Sequence, residues 1–145
     1  MSVTKLLKQV QLFASLNSAE LAELANISQK VTANPGDVII KQNTTGKELY
    51  LVAEGSVEVF IEGLESARSL VILGEGQVIG EMALIDQGYR SASVKVNKKG
   101  ATLYRIDSDD FYRLCNKNTR IGYVVMRNLA IDIAFKLRHR NLAEL

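Results

Sequence analysis

The chain has 145 residues, of which 47% are apolar and 23% are charged. That length allows one domain with a buried core, and the composition excludes an intrinsically disordered chain and favours a soluble globular one. The 18 Lys and Arg residues against 16 Asp and Glu give a formal net charge of +2, which is too small to predict nucleic-acid binding from the electrostatic field alone.

The single cysteine, the single histidine and the hydropathy pattern limit the cellular compartment and the kinds of active site that the chain can have. The sequence has no signal-peptide core and no run of ~18 apolar residues, so we expect neither a signal peptide nor a membrane span. Cys115 is the only cysteine, which excludes an intrachain disulfide and favours a reducing, cytoplasmic setting. His139 is the only histidine, so we expect no catalytic triad, no metal site and no cofactor.

Residues 1–30 are assigned to N-terminal helices. Over residues 5–29 apolar side chains recur at helical spacing, and a break near residues 15–18 predicts two short helices. Either Asn17 or Ser18 is the predicted N-cap of the second helix, because both side chains can accept a bond from its first N–H groups.

Residues 31–107 are assigned to β-structure, because apolar and polar residues alternate with a period of two. The alternation is clear over residues 48–54, 56–62 and 93–97, and glycines interrupt the region at intervals of about 8 to 12 residues. Short strands with such breaks predict a small antiparallel β-roll of the jelly-roll, or double-stranded β-helix, kind. With helices at both ends, the predicted fold class is α+β.

Residues 108–145 return to helical spacing. Ser108 is the predicted N-cap of a first helix, and residues 118–119 can cap a longer one that reaches about Leu142. The long helix has apolar residues on two sides, and both need burial. We expect one side to pack on the roll and the other to form a homodimer through residues 119–142; the alternative is a groove within its own domain. The main stripe comprises Met126, Leu129, Ile133 and Leu137, and the apolar residues off it are Val124, Ile131 and Ala134.

The densest polar cluster of the sequence is the segment 80–92. Gly80 follows a predicted strand, and residues 81–85 can form one helical turn whose first N–H groups make an anion site. Arg90 and Ser91 stand at the start of the next strand, where a guanidinium and a hydroxyl can add donors for a phosphate. By itself this motif is weak, since most glycine turns before a surface arginine are ordinary loops.

The order of the elements and four stretches make the chain similar to a known family. The stretches are residues 12–16, 35–39, 48–57 and 80–92, the last with Gly-Glu-x-Ala-Leu followed by Arg-Ser-Ala. Over residues 12–142 the chain resembles the cyclic nucleotide-binding domain family, and in particular the effector domain of the bacterial catabolite activator protein. The resemblance implies that segment 80–92 is a phosphate-binding cassette.

The resemblance also implies a role for each cassette residue. Arg90 would pair with the cyclic phosphate, and Ser91 would hydrogen-bond it. Glu81 would accept a hydrogen bond from the ribose 2′-hydroxyl. The backbones that would lie against the ribose or the phosphate are those of Gly80, Met82 and Ala83.

The base contacts are less defined. Apolar roll residues would surround the base and sugar, and the last helix would cap the base. Where the catabolite activator protein has a threonine-serine pair, this chain has Arg140-Asn141, and such side chains can read either adenine or guanine. Ser91 resembles the cAMP-binding bacterial form, so we expect cAMP, with cGMP as the alternative. The wall candidates are Leu70, Ile72 and Leu73, and the cap candidates are Arg138, Arg140 and Asn141.

The resemblance implies a regulatory module that is not an enzyme. Ligand occupancy would pass through the C-terminal helices to an effector protein that the sequence does not identify. The alternative is an effector-domain fragment of a transcription regulator, because in such a regulator a DNA-reading domain of at least ~50 residues would begin near Leu145. We expect no DNA-binding domain and no direct nucleic-acid contact within the 145 residues themselves. A cupin-like metal enzyme would lack histidine ligands, and a degenerate domain that binds nothing is disfavoured by Glu81, Arg90 and Ser91.

Overall fold

The computed structural model describes residues 2–139, and its N-terminal part is helical. A short 3₁₀ helix, here the N-terminal 3₁₀ helix (Gln11–Phe13), lies between α1 (Val3–Gln9) and α2 (Ser18–Asn26). The predicted break is confirmed, since Ser15 has a left-handed φ of 77° that no helix accommodates.

The start of α2 follows from its capping residues. The Asn17 side chain accepts a hydrogen bond of 2.9 Å from the Glu20 N–H, and the Glu20 carboxylate accepts one of 2.9 Å from the Asn17 N–H. This reciprocal pair satisfies two N–H groups that the helix itself leaves free. The N-cap is therefore Asn17, one of the two predicted candidates.

The predicted end of the N-terminal helical region is wrong. Strand β1 (Ser28–Ala33) begins within the range 5–29 and pairs antiparallel with the last strand, from Ser28 opposite Ile106 to Ala33 opposite Ala101. The helical spacing continued through Ile27 because that residue still packs against the helical core after α2 has ended. The β-structure consequently starts at residue 28 and not at 31.

Six antiparallel strands form the predicted β-roll. The order is β1-β6-β3-β4, with β2 paired to β6 and β5 paired to β3. The two longest strands pair along most of their length, and register shifts around Gly55 bend them into the roll. The strands after β1 are β2 (Val38–Ile40), β3 (Glu48–Glu62), β4 (Ala67–Leu73), β5 (Val78–Ile79) and β6 (Ser93–Asp107).

Two helices follow the roll, α3 (Ser108–Lys117) and α4 (Thr119–Arg138). The predicted N-cap Ser108 is wrong: Asp107 caps α3 by accepting a bond of 2.8 Å from the Asp109 N–H, while Ser108 is buried. The predicted end of the long helix near Leu142 lies outside the described residues. Within the part of the chain that the structure describes, no helix is long and apolar enough to cross a membrane.

The strand β3 joins two apolar clusters. Leu49 and Leu51 pack with the helices, and Val52 and Val57 pack inside the roll. The helical cluster buries one face of α4 through Ile121, Val125 and Leu129. Of the predicted stripe, Leu129 is buried in this cluster, whereas Leu137 is 63% exposed.

Polar contacts fix the first half of α4 against the N-terminal helices. Arg120 pairs with the buried Glu20 carboxylate and donates to the Ser15 carbonyl at 3.2 Å. The Asn128 amide donates to the carbonyls of Leu12 and Ala14 at 2.9 and 2.8 Å. The last turns of α4 thereby stand over the segment 80–92.

Candidate ligand-binding site

A cavity of about 1000 Å³ lies between the roll, the segment 80–92 and α4. Its lining comes from every layer of the fold, including the N-terminal 3₁₀ helix, β3, β4 and α4. All six residues predicted for phosphate and ribose contacts line it: Gly80, Glu81, Met82, Ala83, Arg90 and Ser91.

The predicted helical turn after β5 is a 3₁₀ helix, here the cassette 3₁₀ helix (Glu81–Leu84). Gly80 starts it with a left-handed φ of 76°, and the Gly80 carbonyl accepts a bond of 3.1 Å from the Ala83 N–H. Ala83 and Leu84 are buried and hold the turn against the body of the domain, whereas Met82 is 53% exposed. The turn is thus fixed on one side and open to the cavity on the other.

Arg90 places a largely buried cation at the cavity wall. Its side chain is 10% exposed. One guanidinium nitrogen, Nη2, donates to the Glu48 carbonyl at 2.7 Å and lies 3.7 Å from the Glu48 carboxylate; the other, Nη1, donates to the Gly80 carbonyl at 3.4 Å. Two of these partners are neutral carbonyls, which orient the guanidinium without cancelling its charge, while the Glu48 carboxylate, 34% exposed at 3.7 Å, offsets part of it. A desolvated cation held in this way suits an anionic ligand.

The loop before β3 leaves room for this arginine. An added Cβ on Gly46 would lie 2.4 Å from Arg90 Nη2, so only glycine allows the guanidinium its observed place. The backbone of Arg90 is also tied to this loop, since its N–H donates to the Thr44 carbonyl at 2.7 Å and its carbonyl accepts from Asn43 at 2.9 Å. From the sequence, Gly46 is predicted only as one of the glycines that interrupt the β-region. Its place just before a long strand was the signal that could have indicated a close approach of another side chain.

Glu81 faces the last turns of α4. Its Oε1 lies 3.9 Å from Lys136 Nζ, and the same Nζ lies 2.9 Å from the Asp132 carboxylate, one helical turn away. The hydrogen bond to Asp132 raises the pKa of Lys136 despite partial desolvation, and the charges of Asp132 and Glu81 add to that rise. The ammonium group is therefore charged at neutral pH and bridges α4 and the cassette.

Of the three residues predicted for the apolar wall, one lines the cavity. Leu73 lines the cavity together with Val71 and Val59, whereas Leu70 and Ile72 do not line it. In strand β4 successive side chains point to opposite faces, so Val71 and Leu73 share one face and Ile72 takes the other. A register shift between β3 and β4 falls next to Leu70 and was not visible in the sequence.

The helix residues at the cavity differ from those predicted. Arg138 is exposed and does not line it, and Arg140 and Asn141 lie outside the described residues. The lining residues of the last turns of α4 are instead Ile131, Asp132, Phe135 and Lys136. Phe135 also stacks on His139, with ring centroids 4.1 Å apart. The spacing of four between Ile131 and Phe135, off the predicted stripe, was the signal that could have found them.

Comparisons with known proteins agree with this geometry. The sequence profile described as the cyclic nucleotide-binding domain matches residues 30–118. The cyclic AMP receptor protein of Thermus thermophilus is 34% identical over 94% of this chain and 61% of its own length. A cGMP-dependent protein kinase of Caenorhabditis briggsae is 27% identical over 77% of this chain and 15% of its own length.

The solved structures agree as well. The N-terminal domain of a transcriptional regulator from Streptomyces coelicolor superposes with a TM-score of 0.81 at 28% identity, over 97% of this chain and 95% of the other. The chain spans less than two thirds of both sequence relatives named above. The profile match covers more than half of the residues and includes the whole segment 80–92. The chain therefore belongs to the cyclic nucleotide-binding domain family.

Proposed function

We propose that the chain is a cyclic nucleotide sensor that binds cAMP and passes its occupancy through α4 to an effector protein. The observation that carries this proposal is the buried guanidinium of Arg90, which lines one cavity with Glu81 and Ser91. Neither a metal nor a catalytic side chain is needed for such binding. Within residues 2–139, no three His, Cys, Asp or Glu side chains gather as metal ligands.

The phosphate and the ribose have separate partners in the proposed complex. A cyclic phosphodiester carries one negative charge, which Arg90 matches, and the Ser91 hydroxyl and the backbone of Met82 supply further donors. The Ala83 backbone would lie beside the phosphate, with its N–H already donated to the Gly80 carbonyl at 3.1 Å. The Glu81 carboxylate, which is 25% exposed and lies beside Lys136 of α4, accepts a hydrogen bond from the ribose 2′-hydroxyl. The Gly80 backbone would lie against the ribose, and the absence of a side chain leaves room for the guanidinium, because an added Cβ would lie 2.6 Å from Arg90 Nη1.

The choice of cAMP over cGMP rests on Ser91 and on the name of the Thermus relative, a cyclic AMP receptor protein. The kinase relative is named for cGMP, so cGMP is the alternative ligand. The adenine of cAMP would face Val71, Leu73 and Phe135, an apolar setting that suits a purine ring.

We assign to α4 the transmission of ligand occupancy to the effector protein. The same helix is proposed to form the homodimer. The relative from Streptomyces is a domain of a transcriptional regulator, which supports either a sensor for a separate effector protein or the effector domain of such a regulator. A ligand can shift α4 only by its differential affinity for the two positions, typically ~1–3 kcal/mol. A cytoplasmic setting is consistent with the single free Cys115.

Calorimetric titration of the purified protein with cAMP and cGMP tests the proposal. We expect saturable binding of cAMP, and a loss of about 30- to 5,000-fold in affinity for Arg90→Ala, because removing one partner of a buried charge pair costs about 2–5 kcal/mol. The matched control is Arg113→Ala, which removes an arginine side chain that is 69% exposed on α3. Absence of binding at millimolar ligand, or an unchanged affinity of Arg90→Ala, would refute the proposal.

A further inference from the structure

Lys136 is the cation that α4 extends to the cassette. Its Nζ lies 3.9 Å from Glu81 Oε1 and 2.9 Å from the Asp132 carboxylate. All three side chains line the same cavity. The two carboxylates belong to different elements, so the ammonium group joins the helix to the carboxylate that is proposed to hold the ribose.

The position of Lys136 follows from its own helix. Asp132 precedes it by four residues, which is the order that favours an acidic–basic pair on one helix face. The first half of α4 is fixed by Arg120 and Asn128, so the turn that carries Lys136 has a defined place over the cassette. Asp132 thus restricts the lysine side chain to the edge of the cavity.

We propose that Lys136 is a positioning residue for Glu81 and thereby a determinant of selectivity for ribose over 2′-deoxyribose, an inference that rests on the proposed function. The ammonium group engages Oε1 of the carboxylate, which leaves the second oxygen, Oε2, to accept the 2′-hydroxyl. A charged acceptor also binds a hydroxyl group more strongly than a neutral one does.

The size of the effect depends on solvent. In the structure the Lys136 side chain is 64% exposed, and exposed ion pairs contribute little. A bound nucleotide would remove water from the side of the pair that faces the cavity, and a lower effective dielectric constant strengthens the attraction. We therefore expect Lys136 to contribute roughly 3- to 10-fold to the affinity for a ribonucleotide, and less than about 2-fold for the 2′-deoxy analogue.

The experiment compares four ligands on four proteins. Wild type, Lys136→Gln, Lys136→Arg and Lys117→Gln are titrated calorimetrically with cAMP and with 2′-deoxy-cAMP, and in parallel with the two guanine analogues. Lys117 is an exposed lysine at the end of α3 that does not line the cavity, so its variant removes the same charge elsewhere. Lys136→Gln should lose roughly 3- to 10-fold for the ribonucleotide alone, Lys136→Arg should retain most of the wild-type affinity, and Lys117→Gln should match wild type.

The outcomes separate this inference from the proposed function. Equal losses for the ribo and deoxy ligands, no loss, or tighter binding by Lys136→Gln would overturn the role of Lys136 while wild-type binding leaves the sensor intact. Absence of wild-type binding to all four ligands overturns both. A further loss when Lys136→Gln is added to Glu81→Gln would also contradict the inference, because a residue that acts through Glu81 has no effect once that carboxylate is gone.

Discussion

At the scale of single residues, the site depends on how a buried guanidinium is held open to a ligand. Arg90 donates to two main-chain carbonyls from separate parts of the chain, Glu48 and Gly80. These bonds fix the plane of the guanidinium and satisfy donors that would otherwise be buried without partners. In the proposed complex, the ligand phosphate would add a charged acceptor to a cation whose orientation needs little change, which would favour binding because less ordering is required.

Adding one methyl group at Gly46 tests whether ligand affinity depends on the free space beside Arg90. Gly46→Ala would place its Cβ 2.4 Å from Arg90 Nη2, and the flexible side chain can move while the fold remains. We expect about a 10-fold loss of cyclic nucleotide affinity, roughly 1.4 kcal/mol, because the displaced guanidinium no longer meets the phosphate as well. Affinity is measured by calorimetric titration, and stability by urea unfolding.

The matched control is Gly74→Ala, whose added Cβ would have no neighbour closer than 4.0 Å. Neither glycine has a positive φ, so the two variants differ in the contact with Arg90 and not in backbone strain. An equal effect of both variants on affinity would show that the space beside the guanidinium is unimportant. A large loss of stability in Gly46→Ala would mean that the added methyl group disrupts the loop instead of displacing the arginine side chain.

At the scale of elements, α4 is fixed to α2 by a buried carboxylate. Burial by itself raises the pKa of Glu20, but the hydrogen bond from the Asn17 N–H and the Arg120 guanidinium outweigh it and hold the pKa below its ordinary value. A group with a lowered pKa in the folded state stabilises the fold above its unfolded pKa. That contribution is lost as the pH falls through the lowered value.

The predicted consequence is a difference in acid sensitivity. Glu20→Gln should unfold with a free energy about 1–2 kcal/mol smaller at neutral pH, because Arg120 loses its charged partner. As the pH falls below the ordinary pKa of a glutamate and through the lowered pKa of Glu20, the difference from wild type should shrink, since the wild-type carboxyl then becomes protonated. Urea unfolding from pH 7 to pH 3 measures this, with Glu65→Gln in the exposed β3–β4 turn as the control. A constant difference at every pH would contradict the assigned linkage.

The elements also show what the sequence could predict. The period of two in β3 and β6 and the cap of α2 depend on neighbours in the chain, and these elements were predicted correctly in kind. The contacts of Arg90 with Glu48, 42 residues away, and of Glu81 with Lys136 depend on the folded path and left no local signal. The register shift between β3 and β4 next to Leu70 likewise left no local signal.

At the scale of the whole molecule, the cavity is formed by parts that are distant in the chain. Leu12 of the N-terminal 3₁₀ helix, Val71 of β4 and Phe135 of α4 line one space. A ligand that touches all three would stabilise the domain as a unit and would be sensitive to the position of α4. Any partner that binds α4 would then affect ligand affinity to the same extent as the ligand affects the partner.

The residues on the outer face of α4 predict that the partner of this helix is a second copy of the chain. Its positions 123, 127, 130, 134 and 137 follow the alternating spacing of four and three that two packed helices share. Tyr123 and Leu137 on this face are 68% and 63% exposed, while the opposite face is buried in the core. The groove of its own domain therefore covers only one side of the helix, and we expect a homodimer through the other.

Ala130→Glu tests this dimer, because Ala130 lies at the centre of the outer face and is exposed. Two glutamates brought together across a two-fold axis repel each other, and their larger side chains replace the small alanines, so we expect the variant to be monomeric where wild type is dimeric. Sedimentation velocity over a range of concentrations measures the mass. Leu64→Glu, at a fully exposed residue of the β3–β4 turn, adds the same charge away from α4 and should remain dimeric. A wild type that stays monomeric at high concentration with and without cAMP, or a dimer that Ala130→Glu leaves intact, would show that this face has another function.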